Sequence, residues 1–242
     1  AFTAQANKHA NGPLAFDALM MIGECRFKTE NYGQALEAFS KARDQIRRDN
    51  DTAKTVRDPA ERRVRELVLL HGGQCAGQME RWNDAIEWYD ELRERFPSTG
   101  YLPQVFYETG FAYQQNGDNA NALKFYKEVA DNYRNELAAR ARFMMGEIYF
   151  AEKALDKAMP EFQRVMFGFG AEKAPAKIKN WQAKSGFEAG RCGELLYDTA
   201  KTDAARAKAQ KIATDFYRYV TEKHPNHELA AKSRDRIEAL KK

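Results

Sequence analysis

The chain has 242 residues, of which 43% are hydrophobic and 31% charged, with 15 Gly, 7 Pro and 3 Cys. This is enough chain to bury a sizeable core, and it excludes a disulfide-stapled miniature and a collagen-like or low-complexity chain. The formal net charge of +4 is unevenly spread: residues 1–170 carry 23 Lys and Arg against 25 Asp and Glu, and residues 171–242 carry 16 against 10. That basic excess reads as a solvated helical surface, since a nucleic-acid binder needs a denser Lys/Arg stripe. No apolar run reaches the length of a membrane span, so no membrane insertion is expected. The first residue is Ala rather than Met, which reads as a processed form or a cut fragment and leaves room for a removed targeting segment.

In chain order, residues 1–12 lack a clear cap and read as the remnant of a second helix from an earlier hairpin. From there one spacing recurs. Gly23 is followed by Ala35, Phe39 and Ala42, at offsets of 12, 16 and 19 residues. The same offsets lead from Gly73 to Ala85, Tyr89 and Leu92, from Gly110 to Ala122, Tyr126 and Val129, and from Gly146 to Ala158, Phe162 and Val165. A fifth copy runs from Gly190 to Ala213, Tyr217 and Val220, with 11 extra residues between glycine and alanine. Each copy reads as two antiparallel helices, A and B, joined by a polar turn: Thr29-Glu30-Asn31, Glu80-Arg81, Asn116-Gly117-Asp118 and Glu152-Lys153. The small pair, Gly on A and Ala on B, lets the axes approach. The aromatic residue fills the gap toward the next hairpin, and Pro97 and Pro225 end their B helices. One hairpin cannot bury its apolar face, whereas stacked hairpins share one core.

The expected fold is therefore all-α, an α-solenoid of about five hairpins (about 16–49, 66–99, 103–136, 139–170 and 176–225) forming a single domain over 1–242. A polar-backed capping helix follows at 227–241, with Asn226 as its N-cap. Excess length falls at Arg47–Arg65, Phe167–Asn180 and Tyr197–Arg206. Pro160, four residues after an expected N-cap at Asp156, is expected to bend the start of its helix.

Chemistry-bearing residues are sparse. His224 and His227 have the spacing of a metal pair, but Pro225 and Asn226 between them mark a turn, so the two rings share no helical face and no metal is expected. Cys25, Cys75 and Cys192 each fall two residues after their glycine, where Ala112 and Ile148 stand in the other copies. This is a small apolar packing slot, and free thiols are expected. Equivalent sites on stacked helices are at least about 8–10 Å apart, beyond the ~7 Å Cα separation a disulfide spans. Asp90, Glu91 and Glu94 beside Arg93 and Arg95 read as solvated ion pairs. Trp82 and Tyr89 read as core. No phosphate-cradling glycine loop, nucleophile elbow or carboxylate pair stands out, so neither catalysis nor a cofactor is expected.

These five phased Gly/Ala/aromatic trios resemble the tetratricopeptide repeat over about residues 16–225. The steps between marking glycines, 50, 37, 36 and 44 residues, exceed the usual period of about 34. The resemblance implies a right-handed superhelix whose A helices line a concave groove, and hence a non-catalytic scaffold that binds a peptide or amphipathic helix of a partner protein. At three residues before, one after and four after each glycine, the groove face would carry Met20, Glu24, Phe27; Leu70, Gln74, Gly77; Tyr107, Phe111, Gln114; Phe143, Glu147, Phe150; and Phe187, Arg191, Glu194. His71 is expected to line it too. The family's best-known ligand mode holds a C-terminal carboxylate with Lys and Asn on the first A helix. Here Met20 and Glu24 stand at those positions, and Gln104 and Glu108 at the later clamp positions. An apolar or amphipathic segment, anchored by aromatic residues, fits better than an acidic tail. The alternatives are a helical-repeat nucleic-acid binder, which the apolar groove disfavours, and the interaction arm of a larger enzyme. The long helices and the Ser98-Thr99-Gly100-Tyr101-Leu102-Pro103 link are also loosely similar to bacterial cell-envelope tetratricopeptide proteins, which implies a periplasmic or envelope location over the cytoplasm.

Overall fold

The computed structural model of the chain describes residues 15–241. The expected helix remnant at 1–12, with His9, lies outside the described residues. Among these residues there are eleven α-helices and no strand: α1 (Ala15–Lys28), α2 (Tyr32–Arg48), α3 (Pro59–Gln78), α4 (Trp82–Arg95), α5 (Leu102–Gln115), α6 (Asn119–Asn132), α7 (Glu136–Ala151), α8 (Leu155–Phe167), α9 (Ala176–Thr199), α10 (Asp203–Lys223) and α11 (Glu228–Ala239). The chain divides into two compact units, Ala1–Phe125 and Tyr126–Lys242.

In the first unit, α1 to α5 pack in sequence, α4 on α5 being the last of these pairs, and the A helices α1, α3 and α5 also touch in order. The marking glycines explain how the pairs close. A Cβ added at Gly23 or Gly73 would overlap the ring of Phe39 or Tyr89, the aromatic of the same hairpin. Gly72 seats Trp88 in the same way. The aromatic expected to face the next hairpin thus lies first on its own glycine, and Phe39 presents its edge onward to His71, with centroids 6.1 Å apart. The turns reverse through a left-handed residue, Glu30 (φ 58), Glu80 (φ 57) or Gly117 (φ 81). There the amide of the following residue bonds back to the helix, as Asn31 N–H does to the Arg26 carbonyl at 2.9 Å, which satisfies carbonyls the helix end leaves open.

The first stretch of excess length is mostly loop. Asp58 caps α3, accepting from the Ala60 amide at 2.7 Å, with Pro59 in the first turn, a position that needs no N–H. The loop is tied to the end of α4: the Ala53 amide donates to the Arg95 carbonyl (2.9 Å) and Arg95 Nη1 to the Asp51 carbonyl (3.2 Å). One turn before Arg95 on α4 stands Glu91. Expected to be solvated, it is only 8% exposed. It accepts from Arg43 Nε (2.5 Å), Arg47 Nη2 (2.7 Å) and Arg95 Nε (2.7 Å). Arg43 lies over the Trp88 ring at 4.1 Å.

In the second unit, α7 to α11 again pack in sequence, and α7 also touches α9. Gly146 seats Phe162 and Gly190 seats Tyr217. The extra residues of the fifth hairpin are all helical. Helix α9 runs one turn further past its glycine than the other A helices, and α10 begins two turns earlier before its alanine. Whole turns keep the faces in phase, so Gly193 meets the backbone of Ala213. Two capping expectations are corrected. Helix α8 is capped by Ala154, which places Asp156 in the first turn and Pro160 inside the helix. Helix α11 is capped by His227 rather than Asn226, because His227 Nδ1 accepts the Leu229 amide at 3.2 Å. Its Nε2 lies 3.0 Å from Asn180 Oδ1, while His224 Nε2 lies 3.3 Å from the Tyr219 hydroxyl. The two imidazoles therefore have separate partners, and burial lowers the pKa of both.

The three cysteines are free thiols. Burial pushes Cys75 and Cys192 up to about 12, so both behave as compact apolar groups. Cys25, in the same register, is exposed, contrary to the packing slot expected for it. That register faces the preceding hairpin, since Cys75 feels the charge of Glu24 and Cys192 that of Glu147. Among the described residues no helix precedes α1.

Candidate interaction face

The groove positions expected from the sequence divide by offset. The residues three before the glycine point inward: Met20, Leu70 and Tyr107 are buried. Phe143 packs against Phe162 (5.7 Å between centroids) and Trp181 (5.3 Å), and Phe187 packs against Tyr217 (5.5 Å). Met20, Leu70 and Tyr107 therefore belong to the core, which corrects their groove reading, whereas Phe143 and Phe187 are half-buried, as Phe27 and Phe150 are.

The positions one and four after the glycine are half-exposed and build the face. Between the first two hairpins, Phe27 stacks on His71 with centroids 5.0 Å apart and ring planes 2° from parallel, and His71 Nδ1 pairs with Glu24. In the second unit the guanidinium of Arg191 lies over the Phe150 ring at 4.8 Å and pairs with Glu188 at 2.7 Å. Glu147 stands beside that pair. Burial first, then the Glu188 charge, raises its carboxyl to about 7 against the pull of Arg191.

Between the second and third hairpins the same face opens into a pocket of about 380 Å³. Phe27, Gln74, Gly77 and Phe111, all groove positions expected from the sequence, come together there. Gly77 is what leaves the space. It stands in the slot filled elsewhere by Phe27, Gln114, Phe150 and Glu194, and a Cβ on it would meet only the Trp82 ring, at 3.8 Å. Trp82 meets Phe111 edge to face, with centroids 5.8 Å apart. Expected to be core, Trp82 is half-buried on the pocket wall. Glu80 and Glu108 bring two carboxylates to the lining, and no Lys or Arg lines it. The Glu108 charge adds to burial in raising the Tyr89 hydroxyl well above its usual range. Sequence reasoning omitted Glu80 and Trp82 from the groove and placed Glu108 there only as a later clamp position. The one signal for the pocket was a glycine in a slot otherwise filled by larger side chains.

The fold and this face define a helical-repeat class in which A helices present successive side chains along one surface. The family model described as "Tetratricopeptide repeat" matches residues 2–51 and 107–171. Over those residues the chain carries tetratricopeptide repeats. Its solved structural relatives have low identity and show the fold alone. The MamA protein shares 18% identity at a TM-score of 0.62, over 91% of this chain and 96% of that one. YrrB, described as a TPR protein with an unusual peptide-binding site, shares 15% at 0.58, over 97% and 98%. A tetratricopeptide repeat protein from Parabacteroides merdae shares 13% at 0.54, over 100% and 90%. No curated protein sequence matches the chain. Tetratricopeptide repeats generally serve as non-catalytic modules of protein–protein interaction. No helix among the described residues is long and apolar enough to cross a membrane.

Proposed function

We propose that the chain is a non-catalytic scaffold that holds an extended or helical segment of a partner protein along the A-helix face, with the pocket around Phe27, Trp82 and Phe111 as the principal anchor point. The observation that carries this reading is the pocket itself, an aromatic-walled concavity of about 380 Å³ that the chain leaves unfilled. Pockets of this kind take the few side chains that supply most binding energy at an interface. Its carboxylates repel phosphate, which weighs against the nucleic-acid alternative. The envelope location suggested by the Ser98–Pro103 link belongs to the same proposal, and cell fractionation checks it.

Site-specific photo-crosslinking tests the binding face. A benzophenone side chain at Gln78, on the pocket rim, is expected to give nuclease-resistant protein adducts. The same group at Lys41, on an exposed B-helix face, is expected to give none. Adducts at Lys41 alone would move the interaction to the other side of the molecule. Phe111→Ala should reduce capture at Gln78 with helicity unchanged. Tyr107→Ala is unsuited to this purpose, because the ring is buried and its loss would weaken the core.

A further inference from the structure

We infer that a second concavity, in the second unit where α8 and α10 end and α9 begins, accepts the indole of a Trp side chain from a partner polypeptide. Its volume is about 360 Å³. Its wall is built mainly from B helices, so this contact and the one proposed for the A-helix face stand or fall separately. Met166 and Phe167 at the end of α8 and Tyr219 on α10 supply the apolar wall. Phe167 meets Tyr219 edge to face with centroids 5.5 Å apart, yet it is 59% exposed, so most of its ring stays open to solvent.

The floor presents one acceptor that the chain does not use. The Tyr219 hydroxyl is occupied, donating to the Met166 carbonyl at 2.9 Å. Gln182, on α9, is 1% exposed and lines the concavity. Its Nε2 donates to the Gly168 and Ala171 carbonyls, each at 3.3 Å, which ties down the loop after α8. Its Oε1 accepts no hydrogen bond from the described residues. The charges at the rim cancel. Lys223 pairs with Glu172 at 2.6 Å, and Lys179 and Glu222 are of opposite sign. Burial, then the charges of His227 and Lys179, lowers the pKa of His224, so its ring is neutral at pH 7.

These features select among side chains. Phe or Leu would satisfy the rings but strip water from Gln182 Oε1 without replacing it. Asp or Glu would set acceptor against acceptor, and Lys or Arg would bring a charge to a lining that has no net charge to meet it. Tyr carries an acceptor of its own that needs a donor. Trp brings a large ring with one N–H and no acceptor, which matches one unused acceptor beneath aromatic and sulfur-bearing walls. A second copy of this chain has no Trp to offer: Trp88 is 3% exposed, Trp82 packs on Phe111 and Trp181 on Phe143.

A random-peptide library displayed on phage tests this, selected on the full chain and depleted of clones that still bind Phe167→Ala. That substitution trims a mostly exposed ring, and circular dichroism and thermal melting check its fold. The expected consensus has Trp at one fixed position. Benzothienylalanine there keeps the ring shape and replaces the N–H by sulfur, and should weaken a selected peptide by about tenfold. On Gln182→Met, shown folded by the same two measurements, the two peptides should bind alike. Free tryptophan should compete no better than N-acetyltryptophanamide. Stronger competition by the free amino acid would make this a small-molecule site and overturn the polypeptide assignment. A consensus on another residue type, or equal binding of the benzothienylalanine peptide to the wild-type chain, would overturn the indole assignment. The absence of any clone sensitive to Phe167→Ala would overturn the site itself.

Discussion

Glu91 in the first unit and Glu147 in the second are both carboxylates drawn largely out of water, and their protons respond in opposite ways. Burial alone would raise each. At Glu91 the guanidiniums of Arg47, Arg43 and Arg95 outweigh burial and hold the carboxyl at about 2. At Glu147 the nearest charges on α9 are the carboxylate of Glu188 and the single guanidinium of Arg191, with Cys192 alongside, and the carboxyl rises to about 7. Neighbours, rather than depth, decide the sign. The linkage follows from the usual carboxyl value of 4.5. The stability contributed by Glu91 is present above pH 4.5 and lost as pH falls toward 2. For Glu147 the folded state holds its proton more tightly, so its contribution is present below pH 4.5 and lost as pH rises through 7.

The largest expected effect comes from breaking the first of these sites. Glu91→Gln leaves three guanidiniums around a neutral group and should cost about 3 kcal/mol in denaturant unfolding at pH 7. The difference from wild type should shrink as both are taken toward pH 2. Glu147→Gln should act with the opposite sign, stabilising by on the order of 1–2 kcal/mol at pH 8. That gain should disappear by pH 4.5, and a melting temperature indifferent to pH between 5 and 8 in both proteins would show that Glu147 titrates normally. Gly77→Ala should stabilise the first unit by up to about 1 kcal/mol through helix propensity, since the added methyl meets only Trp82 at ordinary contact distance. A loss on thermal melting would mean that the pocket floor is tighter than its geometry indicates. The smallest effect is expected at the turns. Lys153 holds φ 60 where the first unit already places Gly117, so Lys153→Gly should gain about 0.5 kcal/mol. Gly117→Ala should lose a comparable amount, as equilibrium denaturation would show.

Much of the architecture was legible because small residues recur at fixed offsets. Gly23, Gly73, Gly146 and Gly190 each mark the place where a B-helix ring presses on an A helix, and a steric requirement of that kind tolerates no other side chain. The turns were legible for a related reason, since polar residues cluster where the backbone reverses. The face was only partly legible. Leu70 and Phe150 are both apolar and both lie on A helices, yet one is core and the other carries an Arg. Residue type does not report how deep a position lies, because depth depends on the helices packed against it. Glu91 was misread because Arg43 and Arg47 reach it from the preceding hairpin, 48 and 44 residues away in sequence, a pairing that no local pattern announces. The His227 cap was missed because Asn is the commoner capping residue, and the imidazole took the role one position later.

The overlong fifth hairpin carries a rule about growth. Its added residues come as one turn on α9 and two on α10, so Gly190 still seats Tyr217 and Gly193 still meets Ala213. The extra length lies wholly on the tip side of the Gly190 seat, so the hairpin grows outward while the core below keeps its registration.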